Sequence, residues 1–145
     1  MSGLFGYTAK GSAPEQCARV LQFMGNHLRH TDRARISWAG FGQSATNGAV
    51  GHIGIGIFNP GGQPRWGAEM QVALWMCGEF YHHEAARTAL IRQGELPTDA
   101  TDEDLALRTY LHGGAEAIAR LEGAFTIAIW DAREGTLTLV NDRYG

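Results

Sequence analysis

The sequence predicts an α+β fold with antiparallel sheets, because its strand patterns are joined as hairpins and most of its helical patterns are grouped between strands. Residues 124–131 and 136–142 give the clearest hairpin, across a short turn. Segments with helical spacing lie at 12–29 and, grouped together, at 81–121. The chain has 145 residues, 44% of them hydrophobic, which is enough to bury the core of a single domain.

Strands are expected where short apolar or alternating runs are bounded by glycine, proline or polar residues. These runs lie at 4–8, 35–39, 49–58, 71–80, 124–131 and 136–142. The segment 40–48, rich in Gly, Ser and Asn, is expected to separate the second strand from the third. Residues 59–64 are expected to form a turn, because they contain two prolines and two adjacent glycines.

Helical spacing is found at 12–29, 81–93, 101–111 and 116–121. Ser12 and Glu15 are expected to form a capping box at the first helix. Gly94 is expected to close the second helix, and Thr101 with Asp104 to cap the third. Trp38, Trp66, Trp75 and Trp130 are expected to be core or interface aromatics.

Composition favours a cytoplasmic globular protein that binds neither nucleic acid nor membrane. The net charge is −3 with a pI of about 6.0, and no long Lys/Arg cluster is present. No apolar stretch approaches the ~18–20 residues that span a bilayer, and the first residues lack the pattern of a signal peptide. Cys17 and Cys77 form no CxxC motif, so free thiols are expected rather than a disulfide.

The histidines do not predict a metal site. His82 and His83 are adjacent at the start of a helix, where their rings point in different directions. His27 and His30 lie near a helix end, where a protonated imidazole suits the helix dipole. We therefore expect no metal in this domain.

Separated segments of the chain follow, in order, the motifs of one known family. These segments are Ser2–Gly6, Arg29–Asp32, Gly51–Ile55, Gly62–Pro64, Cys77–His83, Thr101–Asp104, Leu121–Asp131 and Asp142–Gly145. The first is similar to Cys-Gly-Ile-Phe-Gly, the fifth to Asn-Gly-Glu-Ile-Tyr-Asn-His, and the seventh to Leu-x-Gly-Met-Phe-Ala-Phe-Ala-Ile-Trp-Asp. The chain therefore resembles the class II glutamine amidotransferase domain of asparagine synthetase B-like enzymes. That family includes degenerate domains in β-lactam synthetases and lasso-peptide cyclases.

The resemblance implies an N-terminal nucleophile hydrolase fold, a four-layer αββα sandwich over residues 1–145. In the family an ATP-using synthetase domain follows the segment that resembles Asp142–Gly145. We therefore expect this chain to be the N-terminal part of a longer protein, or to work with a synthetase domain in trans. No cofactor is expected in this domain, since ATP and Mg²⁺ belong to the synthetase domain. An open sheet edge could pair with another chain, for example in a homodimer.

The resemblance also assigns the catalytic positions, and two of them differ from the family. Ser2 stands where the family has its N-terminal Cys nucleophile, and a hydroxyl is much less reactive than a thiol near neutral pH. Cys77 replaces the Asn whose side chain completes the oxyanion hole, and a thiol is a weak hydrogen-bond donor. Gly78 retains the backbone N–H of that hole. Cys77 is otherwise explained as a small apolar residue on a strand.

The substrate-binding positions are also changed. Gly54 aligns with the family's Arg that grips the glutamine carboxylate, and glycine provides no equivalent contact. Asp102 aligns with the acid that holds the substrate ammonium, but a solvated carboxylate in the first turn of a helix, favoured by the helix dipole, is the preferred explanation. Glu79 aligns with the acid beside the oxyanion hole. A laboratory Cys-to-Ser replacement at Ser2 is an alternative, but it would leave the other positions unchanged.

These departures favour a degenerate glutaminase domain that serves as a scaffold for an ATP-dependent amide-forming domain. One alternative is an active amidohydrolase that uses Ser2, after removal of Met1, to supply ammonia from glutamine for asparagine synthesis. A second alternative is a module that binds glutamine or another amino acid without turnover.

Overall fold

A computed structural model describes residues 2–11, 13–43, 46–57 and 59–144 of the chain. Within these ranges the elements are β1 (Gly3–Lys10), α1 (Pro14–Leu28), β2 (Arg35–Gln43), β3 (Thr46–Gly54), β4 (Arg65–Gly67), β5 (Val72–Phe80), α2 (Glu84–Arg92), α3 (Asp102–Ala119), β6 (Gly123–Asp131) and β7 (Thr136–Asn141). Helices and antiparallel strands are thus combined as the sequence predicts, and the α+β class is confirmed.

The described strands form two antiparallel sheets. The first sheet has the order β1-β3-β2, and the second has the order β4-β5-β6-β7. In the first sheet β2 and β3 make a long hairpin, with Arg35 opposite Gly54 at its open end. In the second sheet β5 pairs with β6 along its whole length, from Val72 opposite Asp131 to Phe80 opposite Gly123.

Three apolar clusters hold the sheets and helices in four layers. Between α1 and the first sheet lie Phe5, Cys17, Leu21 and Ala49. Between the two sheets lie Phe41, Val50, Ala73, Trp75, Ala128 and Trp130. Between the second sheet and α3, with side chains of α2 at its margin, lie Leu74, Met76, Leu105, Ile118, Ile127 and Ile129 among others. This is the αββα sandwich that the family resemblance implies.

Strand β5 is buried on both faces, which explains why its sequence is a continuous apolar run rather than an alternating one. Its side chains point alternately to opposite sides of the sheet. Leu74 and Met76 pack towards α3, whereas Trp75 packs against the first sheet. Phe41 crosses from the first sheet to stack on Trp130 with ring centroids 4.5 Å apart.

The prediction that residues 40–48 separate two strands was wrong. Strand β2 continues to Gln43 and β3 begins at Thr46. A Cβ on Gly48 would lie 2.6 Å from the Phe41 ring, so the glycine lets that ring lie across the strand. The glycines of this segment therefore serve close packing inside a hairpin. The short strand β4 was not predicted, and Phe58 lies outside the described residues.

The helix ends agree in part with the sequence. The capping box of Thr101 and Asp104 at α3 is confirmed, with the Asp104 carboxylate accepting from the Thr101 N–H at 2.9 Å. Gly114, at φ 67° and ψ −166°, divides α3 into the two helical segments that were predicted. At α1 the N-cap is Ala13, and the predicted cap Ser12 lies outside the described residues. No helix in the described ranges combines the length and apolarity needed to cross a membrane.

The aromatic and thiol side chains divide between core and surface. Trp75 and Trp130 are buried between the sheets, whereas Trp38 and Trp66 are 40% and 38% exposed. Cys17 and Cys77 are both free thiols, as predicted.

A matched pair of leucines tests this assignment of the core. Leu74 is fully buried, whereas Leu139 on β7 is 70% exposed. We expect Leu74→Ala to lower the free energy of unfolding by about 2–5 kcal/mol, through lost burial and the cavity left behind. Leu139→Ala should change it by less than about 0.5 kcal/mol. Urea unfolding followed by circular dichroism measures both. Equal effects of the two substitutions would contradict the four-layer arrangement.

Candidate functional site

Ser2, which directly precedes β1, lies against the second sheet. Its Oγ accepts a hydrogen bond from the Sγ–H of Cys77 at 3.1 Å, across 75 residues of sequence. Cys77 is on β5 with its side chain on the same face as Trp75, so the contact lies at the border of the core between the sheets. The structure thus brings together two of the residues that the sequence assigned to the site.

Gly78 follows Cys77, and its backbone N–H already has a hydrogen-bond acceptor within the domain. It donates to the Oδ1 of Asn59 at 3.2 Å. The residue has φ +111°, and a Cβ at this position would lie 1.9 Å from the carbonyl oxygen of Ala124 on β6. Only glycine fits such a backbone. The N–H that sequence analysis assigned to an oxyanion hole therefore points at a side-chain carbonyl of the same chain.

Gly54, at the end of β3, faces Ser2. A Cβ placed on it would lie 3.5 Å from the Cβ of Ser2 and 2.8 Å from the Cε1 of His52. A side chain at position 54 would thus meet the His52 ring first and would require that ring to shift. A cavity of about 120 Å³ lies beside Gly54 and is lined by Ser2, His52, Gly54, Ile55, Gly56, Ile57 and Asn59.

Asp102 and Glu79 lie away from this cavity. One carboxylate oxygen of Asp102 accepts the N–H of Phe80 at 2.8 Å, and the other pairs with the guanidinium of Arg87. Both oxygens therefore have partners inside the domain. Glu79 is on β5, half-buried and opposite Ala124 of β6. Neither residue is among those that line the cavity beside Ser2.

His52, Glu103 and Asn59 are site residues that sequence reasoning missed. His52 is only 5% exposed, and burial lowers the pKa of its imidazole, while the carboxylate of Glu103 acts in the opposite direction. Glu103 is fully buried at the start of α3 and accepts from the Nε2 of Gln63 at 3.4 Å. His52 belongs to the strand motif Gly51–Ile55 and Glu103 to the segment Thr101–Asp104, but neither motif marks these residues as members of the site.

Gln63 fixes the loop that carries Asn59. Its Nε2 donates to the carbonyl oxygen of Met76 at 2.7 Å, and its Oε1 accepts the N–H of Met76 at 2.8 Å. The side chain thus pairs with the backbone of β5 as a neighbouring strand would. This pairing holds the segment 59–63 against the middle of β5, at Met76.

The described residues offer no metal centre. Within the ranges that the structure describes, no group of three or more His, Cys, Asp or Glu side chains is placed so that it could hold a metal ion. What the site can offer is a hydroxyl, a thiol, an imidazole and a side-chain amide around a small cavity.

Two antiparallel sheets packed face to face between helices give this chain the αββα sandwich of an N-terminal nucleophile hydrolase-like domain. Comparison with known proteins specifies the family. The glutamine amidotransferase domain family matches residues 1–145, and the chain belongs to it.

Curated relatives are asparagine synthetases. Asparagine synthetase B [glutamine-hydrolyzing] of Escherichia coli (strain K12) is 26% identical over the whole chain, which covers 26% of that relative. Asparagine synthetase [glutamine-hydrolyzing] of Brassica oleracea is 27% identical over 88% of the chain and 21% of the relative. The enzyme of the same name from Triphysaria versicolor is 29% identical over 66% of the chain and 16% of the relative. The chain thus spans about a quarter or less of the length of these relatives.

The lowered pKa of His52 predicts a pH dependence of stability. Burial depresses the pKa of its imidazole below the ordinary value of 6.5, so the unfolded chain binds this proton more readily than the folded one. The His52 contribution is therefore fully present above pH 6.5 and is lost as the pH falls below that value, by at most about 1.4 kcal/mol per pH unit.

Unfolding of wild type and His52→Gln between pH 5 and 8 measures this contribution. We expect the wild-type free energy of unfolding to fall more steeply on acidification than that of the variant. Identical pH profiles of the two proteins would contradict a buried, neutral imidazole at position 52.

Proposed function

We propose that this glutamine amidotransferase domain does not hydrolyse glutamine, and that it serves as a scaffold for an ATP-dependent amide-forming domain. Glutaminase chemistry requires an activated nucleophile, donors for the oxyanion and groups that position the substrate. Each requirement can be compared with the contacts of the site.

The observation that carries the proposal is the hydrogen bond from the Gly78 N–H to Asn59 Oδ1 at 3.2 Å. An oxyanion hole works because its donors are free to meet the charge that develops on the substrate. Here the donor already has an acceptor, which lies on a loop that Gln63 attaches to β5. A substrate carbonyl would have to displace the Asn59 side chain, which is only 5% exposed.

The nucleophile position supports the same conclusion. A serine hydroxyl needs a general base to accept its proton. The base that this position offers is the α-amine of Ser2, which is free only after Met1 is removed, and the described hydrogen-bond partner of Ser2 Oγ is the thiol of Cys77, which is not a base. A thiol is also a weak donor, and loss of one oxyanion donor typically reduces kcat by about 10²–10³-fold.

The groups expected to hold the amino-acid end of glutamine are not available either. Position 54 has no side chain, so it offers no cation to a carboxylate. The Asp102 carboxylate is engaged by Arg87 and by the Phe80 N–H, so an incoming ammonium would have to compete with a guanidinium. Glutamine would therefore be poorly oriented even if the hydroxyl were reactive.

Two observations support the scaffold role: the family to which the chain belongs, and the small share of each relative that the chain covers. The relatives carry the words glutamine-hydrolyzing in their names, and the matched part is a small fraction of each of them. We infer that an ATP-dependent amide-forming domain, in the same protein or in a separate one, works with this domain. ATP and Mg²⁺ would bind to that partner, and ammonia would reach it from a source other than this site.

The test is ammonia release from glutamine by protein whose intact mass shows Ser2 as its first residue. We expect wild type and Ser2→Ala to release ammonia at the same background rate. Ser2→Cys alone should stay at that rate, because the Gly78 N–H remains engaged and position 54 remains empty.

Two outcomes would decide against the proposal. Ammonia release by wild type that disappears in Ser2→Ala would show that the hydroxyl is a working nucleophile. Rapid ammonia release by Ser2→Cys would show that the engaged Gly78 N–H does not prevent hydrolysis. Circular dichroism of all three proteins controls for folding.

A further inference from the structure

We propose that a groove between α1 and the free edge of β2 binds an extended acidic segment of a partner protein. This α1–β2 groove is lined in part by Gln22, Asn26, Arg29, Arg35 and Trp38. The bound segment pairs with β2 as an added strand and places its carboxylates against the two arginines. None of the groove residues lines the cavity beside Ser2, so the inference goes beyond the proposed function and does not rest on it.

The edge of β2 that faces away from β3 has no partner strand in the described part of the chain. β2 is an edge strand of the first sheet, whose order is β1-β3-β2, and it pairs with β3 from Arg35 to Gln43. Over these nine residues β2 has no proline, and its one charged side chain is Arg35 at its start. Proteins usually protect such edges with lysine, proline or a bulge, because unpaired N–H and C=O groups can pair with another chain. β2 is therefore a template for an added strand.

The groove beside this edge has a volume of about 470 Å³, with one wall from α1 and the other from β2. Gln22, Asn26 and Arg29 lie on one face of α1, because they are spaced by four and three residues. The amide side chains of Gln22 and Asn26 both donate and accept hydrogen bonds, so they suit a peptide backbone. The partly exposed ring of Trp38 adds an apolar contact on the β2 side.

Gly25 brings the two walls of the groove together. A Cβ at this position would lie 3.3 Å from the Ile36 side chain, so the glycine allows α1 to pack closely on β2. Arg29 follows the last residue of α1 on the short loop that leads to β2, so Arg29 and Arg35 lie at the same end of the groove. From Gln22 to Arg29 the chain advances about 10 Å, which is the length of three residues of an extended strand.

The charge around the groove selects an acidic partner. Residues 19–35 contain four arginines, two histidines and one aspartate, although the whole chain has a net charge of −3. No Asp or Glu is among the described residues that line the groove. In the described ranges neither Arg29 nor Arg35 has a carboxylate partner, and Arg29 donates to the carbonyl oxygen of Asp32 at 3.4 Å. Both guanidinium groups are thus able to bind carboxylates from outside the domain.

Strand edge and charge together favour a peptide over other anionic partners. A nucleic acid can meet the arginines with its phosphates, but it has no N–H and C=O groups in the spacing that pairs with β2. A second copy of this chain that paired along β2 would bring two surfaces of the same positive charge together, which opposes association. An extended segment with carboxylate side chains meets both requirements.

The experiment uses a six-residue peptide of alternating glutamate and valine, capped at both ends, as the probe. The full chain is titrated with this peptide, with the same peptide carrying lysine in place of glutamate, and with the acidic peptide methylated on its backbone nitrogen atoms. Calorimetry measures binding, and NMR measures hydrogen exchange of the β2 amides. We expect saturable binding of the acidic peptide, with slower exchange of alternate β2 amides, and binding at least about tenfold weaker for the other two peptides.

Variants locate the cations. Arg29→Gln and Arg35→Gln should each weaken binding of the acidic peptide by about three- to fivefold, and together by about tenfold or more, since exposed ion pairs are individually weak. Arg120→Gln is the matched control, because it makes the same change in net charge at an exposed position after the last residue of α3. This variant should bind the peptide like wild type. Circular dichroism shows that each variant is folded.

The inference is overturned if the acidic peptide does not bind, if either modified peptide binds as tightly, or if the double variant binds like wild type. It is also overturned if a single-stranded oligothymidylate binds more tightly than the peptide, or if the chain forms a homodimer in which the β2 edge is protected without peptide. Ammonia release from glutamine is a separate measurement, so these results leave the proposed function unchanged.

Discussion

The packing of the two sheets face to face is the constraint on which the site depends. Phe41, Trp75 and Trp130 fill the space between the sheets and set their separation. Cys77 is two residues beyond Trp75 on the same face of β5, and Ser2 is two residues before Leu4, which packs into the same layer. The contact between hydroxyl and thiol is therefore a consequence of how the core is filled.

A second constraint acts on the loop between β3 and β4. The Gln63 side chain pairs with both backbone groups of Met76 and so extends the second sheet by one amide group. This attachment carries Asn59 to the N–H of Gly78. The positive φ of Gly78 and the close approach of Ala124 leave that N–H directed away from β6. Loop and strand together determine that the donor is satisfied internally.

These two constraints act on the chemistry of the site. The Ser2 Oγ and the Gly78 N–H are both engaged by contacts within the domain, which removes the freedom that an oxyanion hole needs. Two nitrogen atoms beside them, the Nε2 of His52 and the Nδ2 of Asn59, are buried and have no hydrogen-bond partner among the described residues.

Much of the fold was predictable because local sequence patterns specify many of its strands and helices. The apolar run of β5 and the final hairpin specify strands by themselves, and the Thr101–Asp104 box specifies the start of α3. The segment 40–48 was misjudged because its glycines look like loop residues, whereas Gly48 makes room for a ring from the neighbouring strand. Such a role depends on the register, which composition does not reveal.

The candidate site was predictable only where a motif marks it. Motif resemblance predicted Ser2, Gly54, Cys77 and Gly78 as site residues, and the structure places Ser2 close to Gly54 and Cys77. Asn59 could not be selected in this way, because it reaches Gly78 on a loop that the tertiary contact of Gln63 with Met76 holds in place.

Hydrogen exchange at the Gly78 amide tests the central claim most directly. If this N–H is held by the Asn59 side chain, it exchanges slowly in wild-type protein, and Asn59→Ala accelerates its exchange while the amides of β6 are unchanged. A Gly78 amide that exchanges rapidly in wild type, or at the same rate in Asn59→Ala, would show that the donor is free and would contradict the account.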